Sequence, residues 1–316
     1  MRALVFGCTG QDGSLMSASL LQQGYDVVGV SRSRLASHPN HQRLGIAGQI
    51  HYESADLYDF QQVLSLVQRY EPDEIYNLAA QSSVGLSFQE PVRTCSSIVN
   101  GTLNLLEVAR FVSSPASWFF AGSSEMFGDV DGAIRLDSPR VPLSPYAVAK
   151  DASFNLVRMY RVSYGLRCVT GVLFNHESPL RSPNFVTQKI IHGALRCAND
   201  PSFRLALGNL DVSRDWGWAD EYVQAMQLIL RAKDLNDQLI CTGRLMALEA
   251  FVATVFSRLG MDWKDHVDLQ PGLRRPTDIA VSFGDPLPLQ QALGWTATID
   301  VDGVIDRLLH AAQLSI

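Results

Sequence analysis

Met1-Arg2-Ala3-Leu4-Val5-Phe6-Gly7-Cys8-Thr9-Gly10-Gln11-Asp12-Gly13 opens the chain with a short apolar run that breaks into three glycines spaced G-x-x-G-x-x-G. Glycines between a strand and a helix permit a tight turn and close backbone approach, and the helix N-terminus that follows receives a phosphate. Three glycines alone mark only a turn. Flanked by an apolar strand and an amphipathic run, they predict the pyrophosphate loop of a dinucleotide fold, with Gly7, Thr9, Gly10, Gln11, Asp12 and Gly13 around the cofactor.

Outward from this loop, short apolar runs at 3–7, 26–31, 49–53, 74–78 and 117–121 alternate with longer amphipathic ones at 14–23, 60–69 and 99–112. That alternation predicts βαβ units on a parallel sheet. A helix over 145–164 and a strand over 168–174 extend it. Beyond Phe174, turn-rich stretches at 178–184, 206–216 and 270–277 separate helices at 185–197 and 219–231, and a strand near 238–243 reads as returning to the sheet. The expected fold is α/β: a doubly wound parallel-sheet Rossmann domain (1–174 plus 238–243) with a smaller, interleaved C-terminal substrate-binding cap (175–237 and 244–316).

Composition bounds the function. Of 316 residues 47% are hydrophobic and 18% charged, with net charge −6, an ordinary globular balance that argues against nucleic acid or an anionic membrane as partner. An anionic ligand in such a protein must be held by local Arg, Lys and helix N-termini. The five cysteines are scattered and never form C-x-x-C, as in reduced thiols of the cytoplasm, and no metal site is suggested. No apolar window approaches the ~18 residues of a membrane span, and the first residues run into the glycine turn without a targeting pattern. The expectation is a soluble cytoplasmic protein.

The strand ends refine the cofactor. Val28-Gly29-Val30-Ser31-Arg32 lacks the acid that would bond an adenosine ribose 2′-hydroxyl, and Arg32 suits a 2′-phosphate; NADP is expected, with NAD left open. Asp56 and Leu57, after the third strand, are candidates for the adenine. Leu78, Ala79, Ala80 and Ser82, after the fourth, supply small residues where the cofactor backbone passes close.

The reacting centre lies further on. Tyr146 and Lys150, four residues apart on one helix, share a face, so an ammonium beside a phenol is expected to lower its pKa from about 10. Such a phenolate can take a proton from a hydroxyl as hydride leaves the same carbon. Ser123, at the end of the fifth strand, can hydrogen-bond the same oxygen. Glu125 adds an acid/base group that alcohol oxidation alone does not require. A lone Ser or Glu here would read as a cap and a lone Tyr-x-x-x-Lys as chance, so the weight rests on the combination.

The glycine loop, the serine and the Tyr-x-x-x-Lys resemble the extended short-chain dehydrogenase/reductase family acting on nucleotide sugars. Gly10–Ser14, Tyr76–Ser82, Ser123–Gly128, Ser144–Lys150, Phe174–Pro179 and Arg214–Gly217 resemble its GDP-mannose 4,6-dehydratase branch, along nearly the whole chain. The resemblance implies oxidation at C4 with Tyr146 as base and Lys150 tuning it. Glu125 would remove the C5 proton and help water leave C6, and hydride would return to C6. It also implies that Asn175 touches the sugar or diphosphate, with Ser82 nearby. His176 and Arg181 would lie on the cofactor side, Lys189 and Arg214 at the diphosphate, and Arg275 with Asp278 at the nucleoside ribose. The implied partner is GDP-mannose, and the implied assembly a homodimer or homotetramer.

Some positions depart from the family pattern. Gly122 stands where a hydroxyl residue is usual, Asp278 replaces a glutamate, the stretch between Cys241 and Arg275 is short, and the loop 33–48, which joins subunits in some members, differs. Another nucleotide-sugar dehydratase, a 4-reductase or epimerase on the same fold, and a non-catalytic dinucleotide-binding protein remain as alternatives. Glu125 separates the dehydratases from the rest.

Overall fold

Alternate residues of the first strand face opposite ways, and both faces are covered. Ala3 and Val5 enter one apolar cluster, Leu4 and Phe6 another, and all four are fully or almost fully buried. A strand buried on both sides belongs in a parallel sheet with helices on each face. The computed structural model, which describes residues 1–33, 37–200, 202–273 and 275–314, has that sheet. Three positions of the loop 33–48 (34–36), one of the stretch 270–277 (274) and the last two of the cap segment lie outside the described residues.

In chain order the first half runs β1 (Arg2–Phe6), α1 (Gln11–Gln22), β2 (Asp26–Ser31), α2 (Pro39–Arg43), β3 (His51–Ser54), α3 (Phe60–Tyr70), β4 (Glu74–Asn77), α4 (Val84–Gln89), α5 (Pro91–Phe111), β5 (Ser117–Ser123), α6 (Pro145–Tyr164) and β6 (Cys168–Leu173). The second half runs β7 (Asn175–Glu177), α7 (Val186–Asn199), β8 (Leu205–Leu207), β9 (Ser213–Trp218), α8 (Ala219–Arg231), β10 (Gln238–Ile240), β11 (Leu245–Ala247), α9 (Leu248–Arg258), β12 (Val267–Leu269), β13 (Val281–Ser282), α10 (Leu287–Leu293) and α11 (Val301–Gln313).

The large sheet has the order β10-β6-β5-β4-β1-β2-β3, parallel throughout. Apolar residues of α3, α5 and α6, among them Val63, Leu105 and Val157, cover one face; those of α1 and α8, among them Met16 and Met226, cover the other. The strand order reverses between β1 and β4, so the loops leaving them part there and open a crevice at the carboxyl ends. β10 returns to the sheet edge beside β6, and the bidentate pair Arg161–Asp237 pins its approach: Asp237 also accepts from Thr170 N at 2.8 Å.

The second half builds its own core from α7, α9 and α11 around Trp216, with Ile190, Phe251, Phe256 and Ile305 fully buried. The stretch 206–216, read from sequence as turns, runs into the central strand of this region at Ser213: β9 pairs with β11, β13 and β7. Its polar residues obscured it. The Asp215 carboxylate, with no exposed surface, accepts from Thr242 Oγ1 at 2.7 Å and from the amides of Thr242 and Gly243 at 3.0 and 2.8 Å. Among the described residues no helix is long and apolar enough to cross a membrane.

Candidate active site

The glycine loop has the shape its spacing predicts. Gly7 has φ +79°, a left-handed conformation, and a Cβ there would lie 2.7 Å from the Ala79 backbone; a Cβ on Gly13 would lie 2.2 Å from Gly7 O. The main chains of the β1 and β4 loops therefore touch, and α1 packs against the turn. Gly10 begins α1 without a side-chain cap, leaving first-turn amides for an anion. This cradle fits a dinucleotide pyrophosphate.

A cavity of about 820 Å³ runs from this loop into the second half of the chain. Thr9, Gly10, Gln11, Asp12, Gly13, Leu78, Ala80, Ser82, Ser123, Glu125, Tyr146, Lys150, Asn175, His176, Arg181, Lys189, Arg214, Arg275 and Asp278 line it. Arg32 does not: it is exposed past the end of β2, with its carbonyl accepting from Ser54 Oγ. Asp56 caps a turn through Tyr58 N, Leu57 packs on Gly101, and Ala79 backs Gly7; none of the three lines the cavity. His38, Asn40, Arg43, Asn209, Leu248 and Leu273 line it without having been singled out from sequence. Only Pro39, opening a helix at its first position, hinted that the segment after β2 was ordered.

Two local features bring the reacting groups together. β5 ends at Ser123, whose Oγ caps a short 3-10 turn over Ser124–Phe127 by accepting from Glu125 N at 3.3 Å. Ser144 caps α6 by accepting from Ala147 N at 3.1 Å, a contact contributing about 1 kcal/mol. Pro145 follows at the first helical position, and Gly165, in the left-handed conformation, ends the helix. Tyr146 thus lies in the first turn of a fixed helix and lines the same cavity as Ser123. Ser123 is both a cap and a neighbour of the phenol. Gly122 has no room for a side chain, since a Cβ would meet Thr170 Cγ2 at 2.8 Å.

The expected influence of Lys150 on the phenol takes a different form. Lys150 Nζ donates to Ala121 O at 2.7 Å and lies 5.7 Å from the Tyr146 ring centre. Burial pushes the Tyr146 phenol up to about 12, against the hydrogen bond from Ser123. Burial also brings Lys150 down to about 8, opposed by the Asp12 carboxylate. Desolvation outweighs the pairing that the four-residue spacing suggested.

Glu125 is half-buried. Burial raises its pKa, while the charges of Arg214 and Arg275 act in the opposite direction. Arg214 points away from its neighbour Asp215, as adjacent strand residues do. Its Nη2 donates to Asp278 Oδ1 at 3.3 Å, and Arg275 lies 3.6 Å from the same oxygen. Asp278 is therefore the shared counter-ion of two arginines in this structure. Lys189 lines the same region from α7.

Asn175 and His176 leave the sheet on β7. His176 Nδ1 donates to Phe174 O at 2.7 Å, Nε2 lies 3.0 Å from Asp12 Oδ1, and the ring stacks on Tyr222. Gln11 donates to His176 O and accepts from Ser178 Oγ. The Asn-His-Glu-Ser segment is thereby bolted to the glycine loop. Although burial raises the Asp12 pKa, the charge and hydrogen bond of His176 overcome it and hold the carboxyl well below its usual range.

Comparison with known proteins agrees with this geometry. A family model described as GDP-mannose 4,6 dehydratase matches residues 4–308. The chain is 37% identical over 322 residues to GDP-mannose 4,6 dehydratase 1 of Arabidopsis thaliana, covering 97% of this chain and 88% of that protein. It is 36% identical to a GDP-mannose 4,6-dehydratase of Vibrio cholerae, covering 95% and 90%. Among solved structures it resembles UDP-glucose 4-epimerase of Thermus thermophilus in complex with NAD, with a TM-score of 0.87, 25% identity and full coverage of both chains. A match of this extent and identity places the chain in the GDP-mannose 4,6-dehydratase family.

Proposed function

We propose that this cavity converts GDP-D-mannose to GDP-4-keto-6-deoxy-D-mannose, with Ser123, Tyr146 and Lys150 acting at C4, Glu125 at C5 and C6, and NADP as the bound cofactor. The observation that supports the residue roles is that Glu125 lines the same cavity as Ser123, Tyr146 and Lys150. A reductase or epimerase needs the pair and not the acid.

Thr9, Gly10, Gln11 and Gly13 would hold the cofactor pyrophosphate at the start of α1, with Leu78, Ala80 and Ser82 alongside. A nicotinamide cofactor bound there would supply the hydride acceptor for C4 and the hydride donor for C6. Tyr146, as the phenolate, takes the C4 hydroxyl proton, Ser123 steadies the same oxygen, and Lys150, anchored on Ala121 O, supplies positive charge that favours the ionised phenol. The 4-keto group acidifies C5–H. Glu125 removes that proton and gives it to the departing C6 hydroxyl, which leaves as water; a raised pKa suits a carboxyl that must do both. After hydride reaches C6, a solvent proton is added at C5 while Tyr146 releases to solvent the proton it took from the C4 hydroxyl, and the sum is loss of one water.

Lys189 and Arg214 supply cations for the diphosphate in an otherwise acidic protein, Arg275 with Asp278 meets the nucleoside ribose, and Asn175 reaches the sugar side. Segments 175–237 and 244–316 form the substrate cap in this reading. NADP is preferred over NAD because β2 ends at Ser31 with no acid there or at Arg32 beyond it, while Arg43 adds a cation to the cavity wall. Purified protein incubated with GDP-, UDP-, CDP- and dTDP-hexoses is expected to consume GDP-mannose, giving a product lighter by one water and no net change in cofactor. Consumption of a different nucleotide sugar alone would overturn the substrate assignment.

A further inference from the structure

His41 has no exposed surface, yet it lies in a five-residue helix on the rim of the cavity. Its Nε2 is 2.8 Å from Cys8 O, and its Nδ1 is 2.7 Å from the Tyr52 hydroxyl. A carbonyl accepts, so Nε2 carries the hydrogen. Burial holds the imidazole below its ordinary pKa, so at neutral pH Nδ1 is bare and accepts from the Tyr52 O–H. The Tyr52 ring stacks on the imidazole with centres 5.5 Å apart. One residue earlier, Asn40 Nδ2 donates to Thr9 O at 3.1 Å.

Two successive carbonyls of the glycine loop are thus gripped by two successive side chains of α2, and Tyr52 on β3 braces the grip from behind. The far end of the segment also makes contact: Arg43 Nη1 donates to Pro179 O at 3.2 Å, so residues 38–43 bridge from the glycine loop to the segment after β7. His38, Asn40 and Arg43 form the cavity wall there. This is the carboxyl end of β2, where the adenosine half of a dinucleotide lies in such folds.

We infer that His41 is a positioning residue that locks residues 38–43 across the adenosine end of the cleft and so slows escape of the dinucleotide. This inference rests on the cofactor reading above. The chemistry gives retention a purpose: the hydride removed from C4 is the one owed to C6, and a cofactor lost between the two steps strands an oxidised sugar.

The test is the dissociation rate of NADPH from the purified protein, measured by displacement and set beside kcat at saturating added NADP. His41→Leu removes both hydrogen bonds while keeping an apolar side chain, and dissociation is expected to quicken about tenfold. Tyr52→Phe removes one, for about threefold in the same direction. In both, kcat at saturation should change much less than the dissociation rate. If His41→Leu does not fold, Asn40→Ala serves in its place, with the Tyr52→Phe expectation. Unchanged dissociation in the folded variants would overturn the inference, as would a fall in kcat that saturating cofactor does not restore. Failure of the unaltered protein to bind NADPH or NADH would instead overturn the cofactor reading.

Discussion

Glu125→Gln is expected to stop the reaction after oxidation and before loss of water. The amide matches the carboxyl in size, so the 3-10 turn capped by Ser123 persists, but it cannot take the C5 proton. General acid–base groups of this kind contribute about 10²–10⁴-fold, and this one is proposed to serve both in removing the C5 proton and in expelling the C6 hydroxyl, so the upper part of that range applies. Reduced cofactor should still appear in a single turnover, because Ser123, Tyr146 and Lys150 are untouched. Exchange of the C5 hydrogen with deuterated water should vanish. Arg214 and Arg275 keep Asp278 as their shared counter-ion in the variant, so KM is expected to change less than kcat. Dehydration at the normal rate would remove Glu125 from the mechanism.

Tyr146→Phe is expected to fail one step earlier. With the phenol held up to about 12 by burial, only about one molecule in 10⁵ carries a free phenolate at pH 7 in the protein alone. A neutral phenol cannot accept a proton, so Tyr146 must first pass its own to solvent, favoured by the positive charge of Lys150 and of an oxidised cofactor; without the hydroxyl no phenolate forms. Loss is expected to be about 10²–10⁴-fold in kcat, with no reduced cofactor in a single turnover, the signature that separates it from Glu125→Gln. Removing one hydroxyl from a side chain otherwise packed among Ile98, Ala149 and Val84 should leave folding nearly unaffected. Reduced cofactor formed at the normal rate would move the base elsewhere.

The parts of the site that could be read from sequence are those where one local rule decides. The glycine loop follows from its spacing, and α6 runs over the predicted 145–164 because Ser144, Pro145 and Gly165 fix its ends. Strands buried on both faces announced themselves as apolar runs. β9 did not: Arg214 and Asp215 are buried, but their partners Asp278 and Thr242 lie 64 and 27 residues away, so their polarity read as a turn. The adenosine wall was hidden for a related reason. Arg32 adjoins β2 in sequence and points to solvent, while His41 acquires its role from Cys8 and Tyr52 only once the chain has folded. The balance between desolvation and charge at Tyr146 and Lys150 is likewise set by burial, which a four-residue spacing does not specify.

The central claim is an internal loan of hydride, and GDP-mannose carrying deuterium at C4 tests it most directly. Incubated with the protein and a trace of unlabelled NADP, it should yield 4-keto-6-deoxy product with the deuterium at C6, little label in the free cofactor pool, and one solvent hydrogen at C5. Deuterium that stays at C4, or passes into the free cofactor while C6 keeps its hydroxyl, would contradict it.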